Sequence, residues 1–320
     1  MRPFYPNPIQ GRGMPLSAAE IVYTIPIVGA IAIGIYIRHN AYLKRLEDRH
    51  NNIIRAKGFI MTLLGGLGNQ LFIYAAAMSF KKRFDLPVYL LSDSGTKVHT
   101  SMDYRFLMKG TSPIGDFDER VLHSLDFDFP SEPYVYGDYD ESTIPVESPE
   151  YIYISHTYFQ RYERIKDSIP IVKANILPLL ECLYKGIKVE SESSAFIHVR
   201  RGDYLTDSGG ERMVSKDYHA KGLEVLNTIG AIKTIYIISD DIAWCKKQTW
   251  TTSKKIEYYD DPDELKTLFF MSHCWAGAVI SNSTFSLWGV FLGAYEKTNT
   301  IVYPTTKHFV QDLPASWIKI

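Results

Sequence analysis

Beyond residue 58, short apolar runs alternate with stretches of helical spacing almost to the end of the chain. Residues 59–64 form an apolar run of strand length, closed by the turn Gly65-Gly66-Leu67-Gly68. From Asn69 the apolar positions take helical spacing, and residues 86–91 predict a second strand. Residues 100–150 carry many Asp, Pro and Tyr and predict loops. A second series begins near Ser194. It predicts strands at 195–199, 234–239, 256–259, 278–281 and 301–303, separated by helices at 216–228, 241–248, 264–271 and 286–295. Such alternation predicts parallel sheets with crossover helices, so the fold class is α/β. Two α/β domains are expected, 58–190 and 191–320, with a ligand cleft between them at the carboxyl ends of the strands.

The rhythm is different ahead of that region. Residues 21–37, IVYTIPIVGAIAIGIYI, contain no charge. Their length lies at the short end of the about 17–25 residues of a membrane span. Pro26, Gly29 and Gly34 are tolerated in such helices more than in soluble ones. Arg38-His39-Asn40 comes after the run in place of a small-residue cleavage site, which favours an uncleaved anchor over a signal peptide. The expected order is therefore a tail (1–20), one transmembrane helix (21–37) with the lipid bilayer as its partner, a stem (38–57) and the two α/β domains. Arg2 and Arg12 precede the span, whereas Arg38, Lys44, Arg45 and Arg49 lie after it. The positive-inside rule leans toward a cytoplasmic C-terminal side, with a lumenal, Golgi-type orientation left open.

Charge and composition narrow the partners. Lys and Arg number 35 against 36 Asp and Glu, so no basic field points to nucleic acid. The three cysteines, Cys182, Cys245 and Cys274, match no zinc spacing, and the last two sit in apolar runs as small buried thiols.

Three clusters fall at strand-to-helix corners, where open α/β sheets bind ligands. The first runs from Gly65 to Gln70. Gly66 and Gly68 would let backbone approach a ligand, with Asn69 and Gln70 beside it; a tight turn capped by Asn69 explains the same residues. In the second, His198-Val199-Arg200-Arg201-Gly202-Asp203, a strand runs into two arginines. Alternation sends His198 and Arg200 to one face and Arg201 to the other. Guanidinium groups bind phosphate oxygens in bidentate fashion, or the pair forms a surface ion pair with Asp203. The third holds Asn282, Ser283, Thr284 and Ser286 at a helix start, where they would cap the helix or, with its free N–H groups, hold a diphosphate. Asn282-Ser283-Thr284 is a formal glycosylation sequon in a corner poorly suited to that modification. Asp260-Asp261-Pro262-Asp263 contains an Asp-x-Asp, but Pro262 and Glu264 open a helix there, so an N-cap is the simpler role than a metal site.

These clusters resemble the α-1,2-fucosyltransferase family, and the likeness runs from about Thr62 to Ile320. It rests on GGLGNQLFIYAAAMSF, YFQRYERIKD, IHVRRGDYL, IYIISDDIAWCKK, LFFMSHCWAGAVISNSTFSLWGVFL and LPASWIKI, in that order. The resemblance implies a GT-B-like fold of two facing Rossmann-type domains and an inverting transfer of L-fucose from GDP-fucose to the 2-hydroxyl of an acceptor glycan, probed first with terminal galactose. It implies no metal and no cofactor besides the donor substrate. By that likeness Arg200 and Arg201 would face the diphosphate with Asp203 supporting them. Asn282, Ser283, Thr284 and Ser286 would line the donor pocket, and Gly66, Gly68, Asn69 and Gln70 the acceptor side. His198 and Asp203 are the candidates for a base near the acceptor hydroxyl. One departure stands out: Thr267 occupies a position where family members often carry Asp. A transferase using another nucleotide sugar, or an inactive glycan-binding homologue, are the rival functions.

Overall fold

A computed structural model describes residues 37–41, 43–44, 57–92, 104–111, 152–154, 158–206, 212–215, 217–293, 300–306, 310 and 312–320. The expected anchor at 21–37 lies outside the described residues except for Ile37, and so does most of 100–150. Among the described residues no helix is long and apolar enough to cross a membrane.

Residues 53–320 form one compact unit that carries two parallel sheets. The first sheet has three strands: β1 (Phe59–Leu63), β2 (Val88–Ser92) and β3 (Ile152–Ile154), in the order β2-β1-β3. β1 feeds helix α1 (Leu67–Phe84). That helix starts two residues before Asn69, and most of its side chains are buried. A helix apolar nearly all round must sit inside a core, which fits its place between the sheets' helices.

The second sheet contains β4 (Ser194–Val199), β5 (Thr234–Ser239), β6 (Lys255–Tyr259), β7 (Gly277–Val279), β8 (Ile301–Tyr303) and β9 (Ile318–Lys319). Its order is β6-β5-β4-β7-β8-β9, every pair parallel. Central β4 is buried at all six positions, as parallel strands covered on both faces must be. The chain builds outward from β4 in one direction through β5 and β6, then returns to its other side with β7, β8 and β9. The reversal lies between β4 and β7, so the crevice at their carboxyl ends is where this topology binds ligands.

Helices join the two sheets through a shared core. α2 (Ile169–Leu183) was not predicted; α3 (Tyr218–Asn227), α4 (Ile242–Cys245), α5 (Glu264–Ser272) and α6 (Thr284–Leu292) match the expected helices within a few residues. Phe72 of α1 packs edge-on to Trp288 of α6 at 5.5 Å between ring centroids, and both are fully buried. α5 contributes Leu268 and Phe269 to the same cluster, and α2 contributes Val172 and Ile176. Cys245 and Cys274 are buried free thiols, as their apolar surroundings predict, and Cys182 is an exposed one.

Candidate active site

A cavity of about 610 Å³ opens at the switch point of the six-stranded sheet. β4 delivers His198 and, just past its end, Arg200; the β7–α6 corner delivers Asn282, Ser283 and Thr284; the β1–α1 corner delivers Gly66, Gly68 and Asn69. The three sequence clusters therefore meet in one place.

Alternation along β4 explains which arginine enters. Arg200 lies on the same side as His198 and lines the cavity together with Asp203 and Asp240. Its guanidinium is held at 2.6 Å by Asp203 and at 3.0 Å by Asp240, and it sits over the Tyr204 ring at 5.5 Å. A third of this side chain remains exposed, so two carboxylates orient the fork without covering it. Arg201 departs from the expectation that both arginines would face a diphosphate. It lies over Trp244 of α4 at 3.9 Å, its Nε donates to Asp241 at 3.1 Å, and it is not part of the cavity wall. A side chain one residue on from Arg200 leaves the strand on the opposite face, and α4 offers an aromatic platform and an acid there.

Asp240 is a site residue that the sequence did not reveal. One carboxylate oxygen accepts from the Arg201 backbone N–H at 2.8 Å and the other pairs with Arg200. Gly202 makes this possible, because a Cβ there would lie 2.6 Å from the Asp240 carboxylate. The only signal was an acid at the end of β5, the strand beside β4. Tyr204, Arg212, Tyr104, Gln160 and Tyr259 also line the cavity and were not singled out from the sequence.

His198 is buried, and its Nδ1 lies 2.8 Å from the hydroxyl of Ser281, just past β7. Desolvation, aided by the charges of Arg200 and His219, lowers its pKa to about 3, so the ring is neutral at ordinary pH. So low a basicity makes it a poor proton acceptor. Asp203, the other candidate base, has its carboxylate on Arg200.

The β7–α6 corner is held open by contacts of its own. The Asn282 side chain donates to the Arg212 carbonyl at 3.0 Å, and Tyr204 donates its hydroxyl hydrogen to the Asn282 carbonyl at 2.8 Å. Asn282 is 4% exposed, which leaves its sequon without an accessible amide. Ser283 occupies the N-cap position but makes no side-chain cap bond. Ser283, Thr284 and Phe285 at the start of α6 line the cavity, and the Ser283 side chain caps none of the helix's first N–H groups. Ser286, expected in the donor pocket, is instead fully buried and donates to the Ser283 carbonyl at 3.1 Å; two residues beyond Thr284, about 200° round the helix, it faces away from the wall.

The β1–α1 corner is neutral. Asn69 is not a cap: the N-cap position belongs to Gly66 and has no side-chain bond. The Asn69 side-chain amide oxygen instead accepts from the Gln160 side chain at 2.9 Å and from the Thr284 hydroxyl at 2.8 Å, tying the two halves of the chain together. Gly68 is required by packing, since a Cβ there would meet the Phe285 nitrogen at 2.5 Å. Gln70, expected at the cleft, turns away; it is 3% exposed and donates to the Gly65 carbonyl at 3.0 Å.

At the far end of the cavity lie Tyr259, Asp260, Asp261, Glu264 and Thr267. Asp263 is the N-cap of α5, accepting from the backbone of Leu265 and Lys266 at 2.9 and 3.1 Å. Asp261 pairs with Lys266. These contacts agree with the helix-start account of the Asp-x-Asp, and among the described residues no group of three His, Cys, Asp or Glu is placed to hold a metal ion. Glu264 accepts from Tyr104 at 3.2 Å across the cavity. Tyr259 stacks on Phe270 at 3.9 Å, and burial pushes its phenol up to about 12.

Comparison with known proteins adds the chemistry. The chain matches Glycosyl transferase family 11 over residues 49–316. It is 28% identical over 151 residues to an Escherichia coli O-antigen biosynthesis glycosyltransferase, WbnK, covering 43% of this chain and 48% of that protein. An alpha-1,2-colitosyltransferase of Escherichia coli is 23% identical over 292 residues, covering 82% of this chain and 98% of that enzyme. A galactoside 2-alpha-L-fucosyltransferase of Caenorhabditis elegans is 24% identical over 176 residues, covering 51% and 48%. The match thus spans about half the length of two of these relatives and nearly all of the third.

Proposed function

The chain belongs to glycosyl transferase family 11, and from that premise we propose that it transfers L-fucose from GDP-fucose to the 2-hydroxyl of a galactose-type acceptor with inversion. The observation that carries this reading is Arg200. It is a two-fold anchored, partly exposed guanidinium at the switch point, opposite the uncapped N-terminus of α6. That pairing suits a diphosphate, whose negative charge grows as the sugar departs. In this account the fold is GT-B-like, with donor at the β4 and β7 corners and acceptor at the neutral β1–α1 corner.

A second donor has a specific observation in its favour. The relative that aligns over almost its full length is named for colitose. Thr267 bears on the nucleotide base instead, because it lacks the carboxylate that would accept two guanine N–H bonds. Carboxylates remain close by, since Asp260, Asp261 and Glu264 line the same end of the cavity. The test is turnover with GDP-fucose, GDP-colitose, GDP-mannose and UDP-sugars on β-galactosides, with linkage analysis of the product. GDP-fucose turnover giving an α-1,2 product supports the proposal. Turnover of GDP-colitose alone transfers it to the second donor, and sugar binding without GDP release marks an inactive glycan-binding protein.

No metal is needed in this account, because Asp261 and Asp263 are already engaged by Lys266 and α5. Activity that persists in excess EDTA agrees; complete loss restored by Mn²⁺ would return both acids to a ligand role. We also keep residues 21–37 as a membrane anchor. Protease treatment of sealed vesicles reads its orientation, and a domain that resists digestion until detergent is added is lumenal.

A further inference from the structure

The switch point fixes the proton on His198 as well as the place of Arg200. His198 comes from β4 and Ser281 from the end of β7, the two strands that flank the reversal in strand order. Both are almost fully buried, and Nδ1 and Oγ lie 2.8 Å apart. The Ser281 hydroxyl has no other side-chain hydrogen-bond partner among the described residues. Two arrangements are open to this pair. With the ring hydrogen on Nδ1, Ser281 accepts, and its own hydrogen is left buried without an acceptor, at the full desolvation cost of that group. With Ser281 donating to a bare Nδ1, both atoms are satisfied and the ring hydrogen must sit on Nε2. Nε2 makes no hydrogen bond among the described residues, and the ring lines the cavity beside Arg200.

We propose that Ser281 is a positioning residue that holds His198 as a neutral Nε2–H hydrogen-bond donor to the bound nucleotide sugar, so that His198 binds the donor and does not take the acceptor's proton. The surroundings keep the ring uncharged. The charged or titratable groups that act on it are Arg200, next but one along the chain, and His219 from α3, itself lowered to about 4 by burial. Neither favours a second proton. The inference rests on the donor assignment above, and its test is arranged to fail separately from it.

The variants are His198→Gln, whose amide N–H reproduces the Nε2 donor with no basic nitrogen, and His198→Ala, which removes both. His198→Ala is expected to raise the donor KM about tenfold, the upper range for one neutral hydrogen bond. His198→Gln is expected to recover most of that loss with kcat near the wild-type value. Loss of kcat in His198→Gln as deep as in His198→Ala, at unchanged donor KM, would make the ring a base and overturn the proposal. Nitrogen NMR of the full chain labelled at histidine needs no donor. The His198 resonances should report the Nε2–H tautomer from pH 5.5 to 8, and Ser281→Ala should mix the tautomers. A proton found on Nδ1, or a charged ring at pH 6, overturns the inference whether or not GDP binds. An Nε2–H ring in a protein that ignores GDP would instead retire the donor assignment and leave the tautomer standing.

Discussion

Of the strand-to-helix corners that meet at the cavity, the one after β4 and the one between β1 and α1 differ most in charge. The β4 corner carries Arg200, Asp203 and Asp240 in one ion network, with the N-terminus of α6 beside it. The β1–α1 corner, Gly66 to Asn69, carries only glycines, Leu67 and an amide. Both arise from the same construction, an apolar strand stopped by residues that let the chain turn. The residues just past each strand end make the difference. An arginine fork oriented by two carboxylates, beside a helix N-terminus, matches a leaving diphosphate. A neutral corner of backbone and amide matches a sugar hydroxyl, which gains nothing from a strong field until its proton moves.

Substitutions can break or sharpen this contrast. The largest effect is expected from Arg200→Ala, which should lower kcat/KM by about 10²-fold or more, judged by the loss of other preorganised donors. Arg200→Lys should recover little, since a point charge cannot replace the fork. Asp203→Asn should cost about tenfold, the range for one charge-assisted hydrogen bond, because Asp240 still holds Arg200. A loss beyond about 10³-fold in kcat would instead mark Asp203 as the base. On the neutral corner, Asn69→Ala should raise acceptor KM about three- to tenfold at constant donor KM, since it removes the acceptor of Gln160 and Thr284 without touching charge. Equal loss on both substrates would erase the division between corners.

Arg201→Ala should leave kcat/KM within about threefold and lower the melting temperature by a few degrees, through loss of the Trp244 and Asp241 contacts. A last effect is on stability against pH and leaves turnover aside. His198 and His219 have folded pKa values of about 3 and about 4, below the ordinary 6.5. The unfolded chain therefore binds more protons between those values, and stability falls as pH drops from about 6.5 toward 4. Melting curves across that window should show the slope, and His198→Gln should reduce it to the share that His219 contributes.

Where local pattern decided the element, the sequence was readable. The strands at 234–239 and 301–303 have the bounds that their apolar runs predict, and Asp263 caps α5 as its position before Glu264 suggests. α2 is hard to read from the sequence because Pro178 lies inside it. Its buried positions Ile169, Val172, Ile176 and Leu180 nevertheless keep helical spacing, and Pro170 sits in the first turn, where proline is tolerated. β9 is two residues long, too short for any period to register. In the site, strand alternation alone puts His198 and Arg200 together and Arg201 apart. Asp240, Gln160 and Tyr104 were invisible for a different reason. Tyr104 meets Glu264 from 160 positions away, and Asp240 reaches Arg200 only because β5 pairs beside β4. Such partners are fixed by strand order, which no local pattern states. Ser286 and Gln70 differ for the converse reason: each belongs to a polar cluster at a corner, but the rotation of about 100° per residue along its helix turns it into the protein.

The most direct test of the central claim, that Arg200 seats the diphosphate, is the calorimetric affinity of the full chain for GDP in wild type, Arg200→Ala and Arg201→Ala. GDP should bind wild type and Arg201→Ala alike, and Arg200→Ala at least about tenfold more weakly, as for a lost charge-assisted contact. Unchanged affinity in Arg200→Ala, or an equal loss in Arg201→Ala, would contradict it.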